Sequence, residues 1–320
     1  MLHLDQYRRR FQKLRVARSR QHGEAPYKPA LLLAVLDGVE DGSILDNRIY
    51  ITPELLAAFR SLCRDLSTSA LFRANDFSLP FYHLTGDGFW HLHTQPGMEL
   101  LLTASRSVKS FRSLRETIDH AALDPALWAL VQDPVARTEL RQALLLRYFP
   151  QTRFRYQPAA GPQALAVIRR QILEEPAAIY RTHVAATDEL DTVVRSGLFK
   201  RLVLEAYDYT CAISGLKLLS TRGAVAPLLD ACHIVPWALS HDDTLPNGFA
   251  LTPTLHRAFD RKLLWVDDDF RVRIADGFAE LAGAEHGIQR FEGQPVRLPA
   301  VPAWQPRREN FRAQRTGILP

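Results

Sequence analysis

Hydrophobic positions fall in blocks whose spacing changes along the chain, and each change predicts an element. Residues 28–40 (KPALLLAVLDGVE) are a nearly unbroken apolar run with Pro29 at its head, which predicts a buried helix carrying proline in its first turn. Residues 53–66 (PELLAAFRSLCRDL) predict a second helix that begins at Pro53. Between them DGSILDNRIYIT has glycine at a turn and a short β-like run from Ile49 to Thr52. In residues 78–92 (SLPFYHLTGDGFWHL) two aromatic, strand-prone runs flank Gly86-Asp87-Gly88, the pattern of a hairpin. Residues 104–116 predict a helix with Arg106, Lys109, Arg112 and Arg115 at steps of three. A turn holds about 3.6 residues, so these cations wind round the helix, and neighbouring pairs can straddle successive phosphates.

Pro, Gly and Gln interrupt the helical pattern at 150–162, and helical spacing resumes at 162–173 and again at 192–207, where Val194, Leu198 and Leu202 recur every four residues. Residues 228–234 (LLDACHI) then read as a strand ended by Pro236. NGFALTP, from Asn247, reads as a second strand, and PTLHRAFDRKL, from Pro253, as a helix. The expected fold class is α+β, in two domains. Residues 1–150 form a mixed, largely helical domain, residues 151–190 a linker and connecting helix, and residues 191–320 a domain built on strand, loop, strand and helix.

With 47% hydrophobic and 23% charged residues, disorder is not the default. A net charge of +5, concentrated at the amino terminus in Arg8, Arg9, Arg10, Lys13, Arg15, Arg18 and Arg20, suits an anionic partner. That terminus has no apolar signal core, and no long apolar run suggests a membrane span, so cytoplasm is the expected location. Cys63, Cys211 and Cys232 form no CxxC pair, which argues against a disulfide framework and against a four-cysteine zinc site.

Three polar side chains, His233, Asn247 and His256, fall in order inside the strand-loop-strand-helix segment. Taken singly they are a strand histidine, a turn and a surface helix residue; their joint order carries the signal. His256 and Asp260 are four apart on one helix face and can share a cation. His241, in the loop, is read as an ordinary surface histidine.

YDYTCAISG (207–215), ACHIVPWA (231–238) and NGFALTPTLHRAFDRKLLWV (247–266) together resemble the restriction-type HNH endonucleases of the ββα-metal fold, over roughly the last 100–120 residues. The resemblance implies that His233 is the general base, that Asn247 fixes the loop and orients the histidine, and that His256 is a metal ligand on the helix. Asp260 is the expected second ligand. The family often carries aspartate or histidine just before the base, where this chain has Cys232; Asp230 is the alternative, although in a regular strand it points away from His233. One divalent metal per site is implied, Mg²⁺ or Mn²⁺ first, with Zn²⁺ or Ni²⁺ still open. The structural zinc of many relatives has no ligand set here, because Cys211 is followed by Ser214 where a second cysteine would stand.

The first domain resembles the sulfur-binding domains that precede HNH modules in phosphorothioate-dependent restriction enzymes, through APYKPALLLAVLDG (25–38) and LPFYHLTGDGFWHL (79–92). By that resemblance Tyr27, Lys28, Leu79, Pro80 and His83 line a pocket for modified DNA, with Arg106 a phosphate contact and Lys109 beside it. Tyr27-Lys28 and Leu79 depart from the basic or histidine pair and the tyrosine that the family presents. The expected protein is a metal-dependent endonuclease that acts on modified double-stranded DNA, with a homodimer supplying two cuts. The rivals are a DNA-binding module with a degenerate nuclease, and a nuclease released by a small molecule sensed by the first domain.

Overall fold

The structure, a computed structural model, describes residues 2–19, 23–68, 77–98, 110–185, 188–217, 228–277, 280 and 287–317. The chain divides into two compact units: residues 1–166 with 188–194, and residues 167–187 with 195–320.

In the first unit α1 (Leu2–Gln12) is followed by a short antiparallel pair, β1 (Arg18–Ser19) and β2 (Gly23–Glu24), and then by α2 (Tyr27–Asp41) and α3 (Pro53–Leu66). α2 is the centre of the unit. Every residue from Ala30 to Leu36 is buried, which explains why its sequence is apolar all round instead of on one stripe. α3 starts where proline and a cap coincide, with the Thr52 hydroxyl accepting from Leu55 N at 3.2 Å.

Two elements differ from expectation. Residues Ser78–His83 form a helix, α4, continued by a 3-10 turn over Leu84–Asp87, and not the first arm of a hairpin. Pro80 has no N–H to give a ladder but is tolerated in a first helical turn, and helical spacing lets Phe77 and Phe81 both enter the core. There they join Phe59, Trp90 and Phe111, and the Trp90 indole donates to Phe81 O at 2.9 Å. β3 (Trp90–Thr94) pairs instead with the distant β4 (Ile118–Leu123), in the antiparallel register Trp90↔Leu123. The run from Ile49 to Thr52 supplies a single bridge, Ile49 to Ala121, and no strand. Of the helix expected at 104–116 the described part is α5 (Phe111–Thr117); Arg106 and Lys109 lie outside the described residues.

α6 (Pro125–Gln132) and α7 (Pro134–Tyr148) follow, and α7 packs on α1 and α2. α8 (Ala160–Glu174), α9 (Ala177–Val184) and α10 (Glu189–Ala206) occupy the stretch expected as connection. The second unit adds β5 (Asp230–His233), α11 (Trp237–Ser240), β6 (Gly248–Leu251), α12 (Pro253–Asp260), the pair β7 (Leu264–Val266) and β8 (Val272–Ile274), and α13 (Arg308–Thr316). Phe249, Phe259 and Phe311 meet in one aromatic core under β6, α12 and α13. β5 and β6 are antiparallel, with His233 opposite Gly248. A Cβ at residue 248 would lie 2.3 Å from Val203 Cγ2 and 3.3 Å from Phe199 Cε2, so glycine is what lets β6 rest directly on α10. Among the described residues no helix is long and apolar enough to cross a membrane.

Candidate active site and DNA-reading pocket

The ββα segment brings His233 from the end of β5 together with His256 and Asp260 from α12 on the wall of one cleft of about 390 Å³, which Pro236, Trp237 and Lys262 also line. Pro236 stops β5 and begins the loop that carries the chain to β6. Asn247 holds that loop and is completely buried. Its Oδ1 accepts from Val235 N at 2.9 Å, while its Nδ2 donates to Val235 O at 3.0 Å and to Asp242 O at 2.9 Å. Asn247 therefore ties residues 235 and 242 together and does not itself reach the cleft.

His233 is held on two sides. Its ring stacks on Phe199 of α10, with centroids 4.1 Å apart and planes 7° from parallel, and its Nε2 lies 2.9 Å from Asp243 Oδ1. Asp243 is 1% exposed, and its Oδ2 accepts from Tyr180 Oη of α9 and from the Trp237 indole, each at 3.1 Å. Burial, with the Asp243 carboxylate beside it, pushes the Tyr180 phenol well above its ordinary range, so it stays a neutral donor. Asp243, Tyr180 and Phe199 were not singled out from the sequence. The acidic pair Asp242-Asp243 between HIVPW and NG is a local hint of the first, whereas Tyr180 and Phe199 lie in helices with no motif.

On α12 the His256 imidazole lies between two carboxylates, with Nδ1 3.0 Å from Asp230 Oδ2 and Nε2 3.4 Å from Asp260 Oδ2. His256 Nε2 and Asp260 Oδ2 lie side by side on one face of α12, so the two could serve one cation together. Asp230 stands on the opposite side of the ring, where an acceptor fixes the tautomer of a metal-binding histidine. Among the described residues no group of three or more His, Cys, Asp or Glu side chains is arranged as a complete metal cage. Cys232 offers no third ligand: it faces the core, its thiol donates to Phe249 O, and burial raises it far above the ordinary thiol range.

In the first unit Tyr27, Lys28, Leu79, Pro80 and His83, all singled out from the sequence, line one cavity of about 490 Å³, together with Arg15. The α4 helix that replaced the expected hairpin arm is what turns Leu79, Pro80 and His83 toward the start of α2. Lys28 is buried and its Nζ is 2.7 Å from Asp87 Oδ2, while Asp87 Oδ1 accepts from Arg15 N at 2.8 Å. The positive charge beneath the cavity is thus compensated by a carboxylate that the sequence suggested only as part of a turn.

Residues 211–267 match the HNH endonuclease family, and a second, different module precedes them in the chain. That module, residues 4–155, matches the ScoMcrA-like DNA sulfur-binding domain family, so the two matches fall on separate segments of the chain. Among solved structures the chain is similar to a modification-dependent TagI restriction endonuclease, at 24% identity and a TM-score of 0.30 over 40% of this chain and 39% of that one. It is similar also to the sulfur-binding and SRA domains of ScoMcrA complexed with phosphorothioated DNA, at 23% identity and a TM-score of 0.37 over 45% of this chain and 42% of that one. The sulfur-binding domain of ScoMcrA complexed with phosphorothioated DNA gives 24% identity and a TM-score of 0.36 over 45% of this chain and 87% of that one. The chain thus spans about two fifths of the length of the first two structures. No curated protein matches it.

Proposed function

We propose that this protein is a modification-dependent restriction endonuclease whose first unit reads phosphorothioated double-stranded DNA and whose second unit hydrolyses a phosphodiester bond. The observation that carries the cutting half is the convergence of His233, His256 and Asp260 on one cleft within a segment matched to HNH endonucleases. His233 is the general base, taking a proton from the attacking water. His256 and Asp260 would hold a divalent ion, Mg²⁺ or Mn²⁺ by ligand chemistry, and Asp230 orients His256 from behind. The ion, when bound, offsets charge on the phosphorane-like transition state and on the leaving oxygen. Lys262, on the same wall, adds a cation for the scissile strand.

The reading half rests on the cavity under Leu79 and Pro80. A sulfur in place of a nonbridging phosphate oxygen is softer and less hydrated, so an apolar wall favours it, and a Lys28 already neutralised by Asp87 adds no general attraction for ordinary phosphate. One active site cuts one strand, so a double-strand break takes two copies or two events; we propose a homodimer on DNA, acting in the cytoplasm.

The test uses the His233→Ala protein on matched unmodified, methylated and phosphorothioated duplexes at one stated salt concentration, with supercoiled-plasmid nicking by wild type and variant in Mg²⁺ and Mn²⁺. Preferential binding to the phosphorothioated duplex, with nicking by the wild type alone, is expected. Equal binding to all three duplexes removes the sulfur reading, and nicking by His233→Ala removes the base assignment. A wild type that binds without nicking is the degenerate-nuclease reading, which the missing ligand at Cys232 favours.

A further inference from the structure

The support of His233 comes from residues outside the segment matched to HNH endonucleases as well as inside it. Asp243 is buried and both of its oxygens are engaged: one faces His233 Nε2 and the other takes two donors, Tyr180 Oη and Trp237 Nε1. A carboxylate only accepts, so the imidazole nitrogen that meets it is the protonated one. Phe199 stacked on one ring face blocks the flip that would exchange the two nitrogens. Among the described residues His233 Nδ1 has no protein hydrogen-bond partner, and the residue lines the cleft.

We infer that Asp243 is a positioning residue which, braced by Tyr180 and Trp237, keeps His233 in the Nε2–H tautomer and so makes Nδ1 the nitrogen that takes the proton from water. The inference rests on the reading of His233 as the base. It extends the working site to α9, because Tyr180 fixes the carboxylate that fixes the base. Arg195 in turn lies over the Tyr180 ring at 5.3 Å and donates to Gln171 of α8 at 2.9 Å, which seats the tyrosine.

Asp243→Asn separates positioning from mere packing. The indole N–H of Trp237 can only donate, so the amide oxygen must turn to it and the amide NH₂ must face His233. Nε2 then becomes the acceptor and the proton moves to Nδ1. The same logic, in serine-protease triads, costs about 10⁴-fold in rate when the aspartate becomes asparagine. Adding Trp237→Phe removes the constraint: the amide can turn over, its oxygen accepts from Nε2–H, and the Tyr180 hydroxyl accepts from the NH₂.

The measurement is the imidazole ¹⁵N spectrum of the full chain labelled at histidine, with His233 assigned by its loss in His233→Ala, beside plasmid nicking. Expected are an Nε2–H signal in the wild type, an Nδ1–H signal with at least about 100-fold slower nicking in Asp243→Asn, and return of the Nε2–H signal with faster nicking in the double variant. An Nδ1–H signal in the wild type overturns the inference without any variant. So does an unmoved tautomer in Asp243→Asn, whatever its rate, or a double variant slower than the single one. Full cutting by His233→Ala would instead remove the base assignment, while the tautomer signals would still report whether Asp243 sets the ring.

Discussion

Asn247→Ala tests whether the second residue of the motif works by holding the loop or by taking part in the chemistry. The substitution removes four hydrogen bonds in a site closed to solvent: one accepted from Val235 N and three donated, to Val235 O, to Asp242 O and, at 3.5 Å and weakest, to Ser240 Oγ. An orphaned buried donor costs about 1–3 kcal/mol, and each carbonyl left short of a partner about 0.5–1.5, so the loss sums to about 2–6 kcal/mol. Domains of this kind are stable by about 5–15 kcal/mol in all. With a urea slope of about 1–3 kcal/mol/M, the midpoint for the nuclease unit falls by about 2 M. Asn247→Asp is expected to be as damaging, because it sets a carboxylate oxygen against the two carbonyls that the NH₂ now serves. The assay follows urea unfolding through tryptophan fluorescence and surviving nicking activity, with DNA binding by the first unit as the internal control. A variant that unfolds at the wild-type midpoint and yet has lost cleavage would refute the loop-holding role and return Asn247 to the chemistry.

Gly248→Ala should destabilise by about 1–3 kcal/mol through overpacking, since the new methyl meets the stiff side chain of Val203, and Gly248→Ala with Val203→Ala should recover part of it; thermal melts of both decide. Asp260→Ala should raise the Mg²⁺ or Mn²⁺ concentration for half-maximal nicking by about ten-fold or more, and nicking at the wild-type concentration would exclude Asp260 as a ligand. In the first unit burial pushes the Asp37 carboxyl up to about 6, despite the Tyr156 hydroxyl and the Arg141 guanidinium beside it. Its unfolded value is about 3.9, so the native state holds the proton more tightly. The stabilisation is full below about pH 4 and is lost as pH rises through about 6, by at most about 3 kcal/mol. Asp37→Asn should flatten the stability curve over that window, and a curve unchanged by the substitution would refute the assignment.

What the sequence by itself determined is local. Pro53 with Thr52 started α3, Pro236 ended β5, Pro253 opened α12, and the four-residue step from His256 to Asp260 put both on one helix face, because each of these signals acts within one turn or one strand. The pocket residues Tyr27, Lys28, Leu79, Pro80 and His83 were legible through resemblance, even though the element carrying three of them was read with a period of two instead of a helical one. Tertiary structure decided the pairings that close long loops. Asp243 faces His233 because Asn247 folds the loop back, Phe199 reaches His233 directly and Tyr180 reaches it through Asp243, both from helices tens of residues upstream, and Lys28 meets Asp87 because α4 and its 3-10 turn return the chain to the start of α2. It decided also that Cys232 turns inward while Asp230 backs His256. Strand alternation sets which face each residue takes, but only the packed neighbours α10 and α12 determine what that face meets.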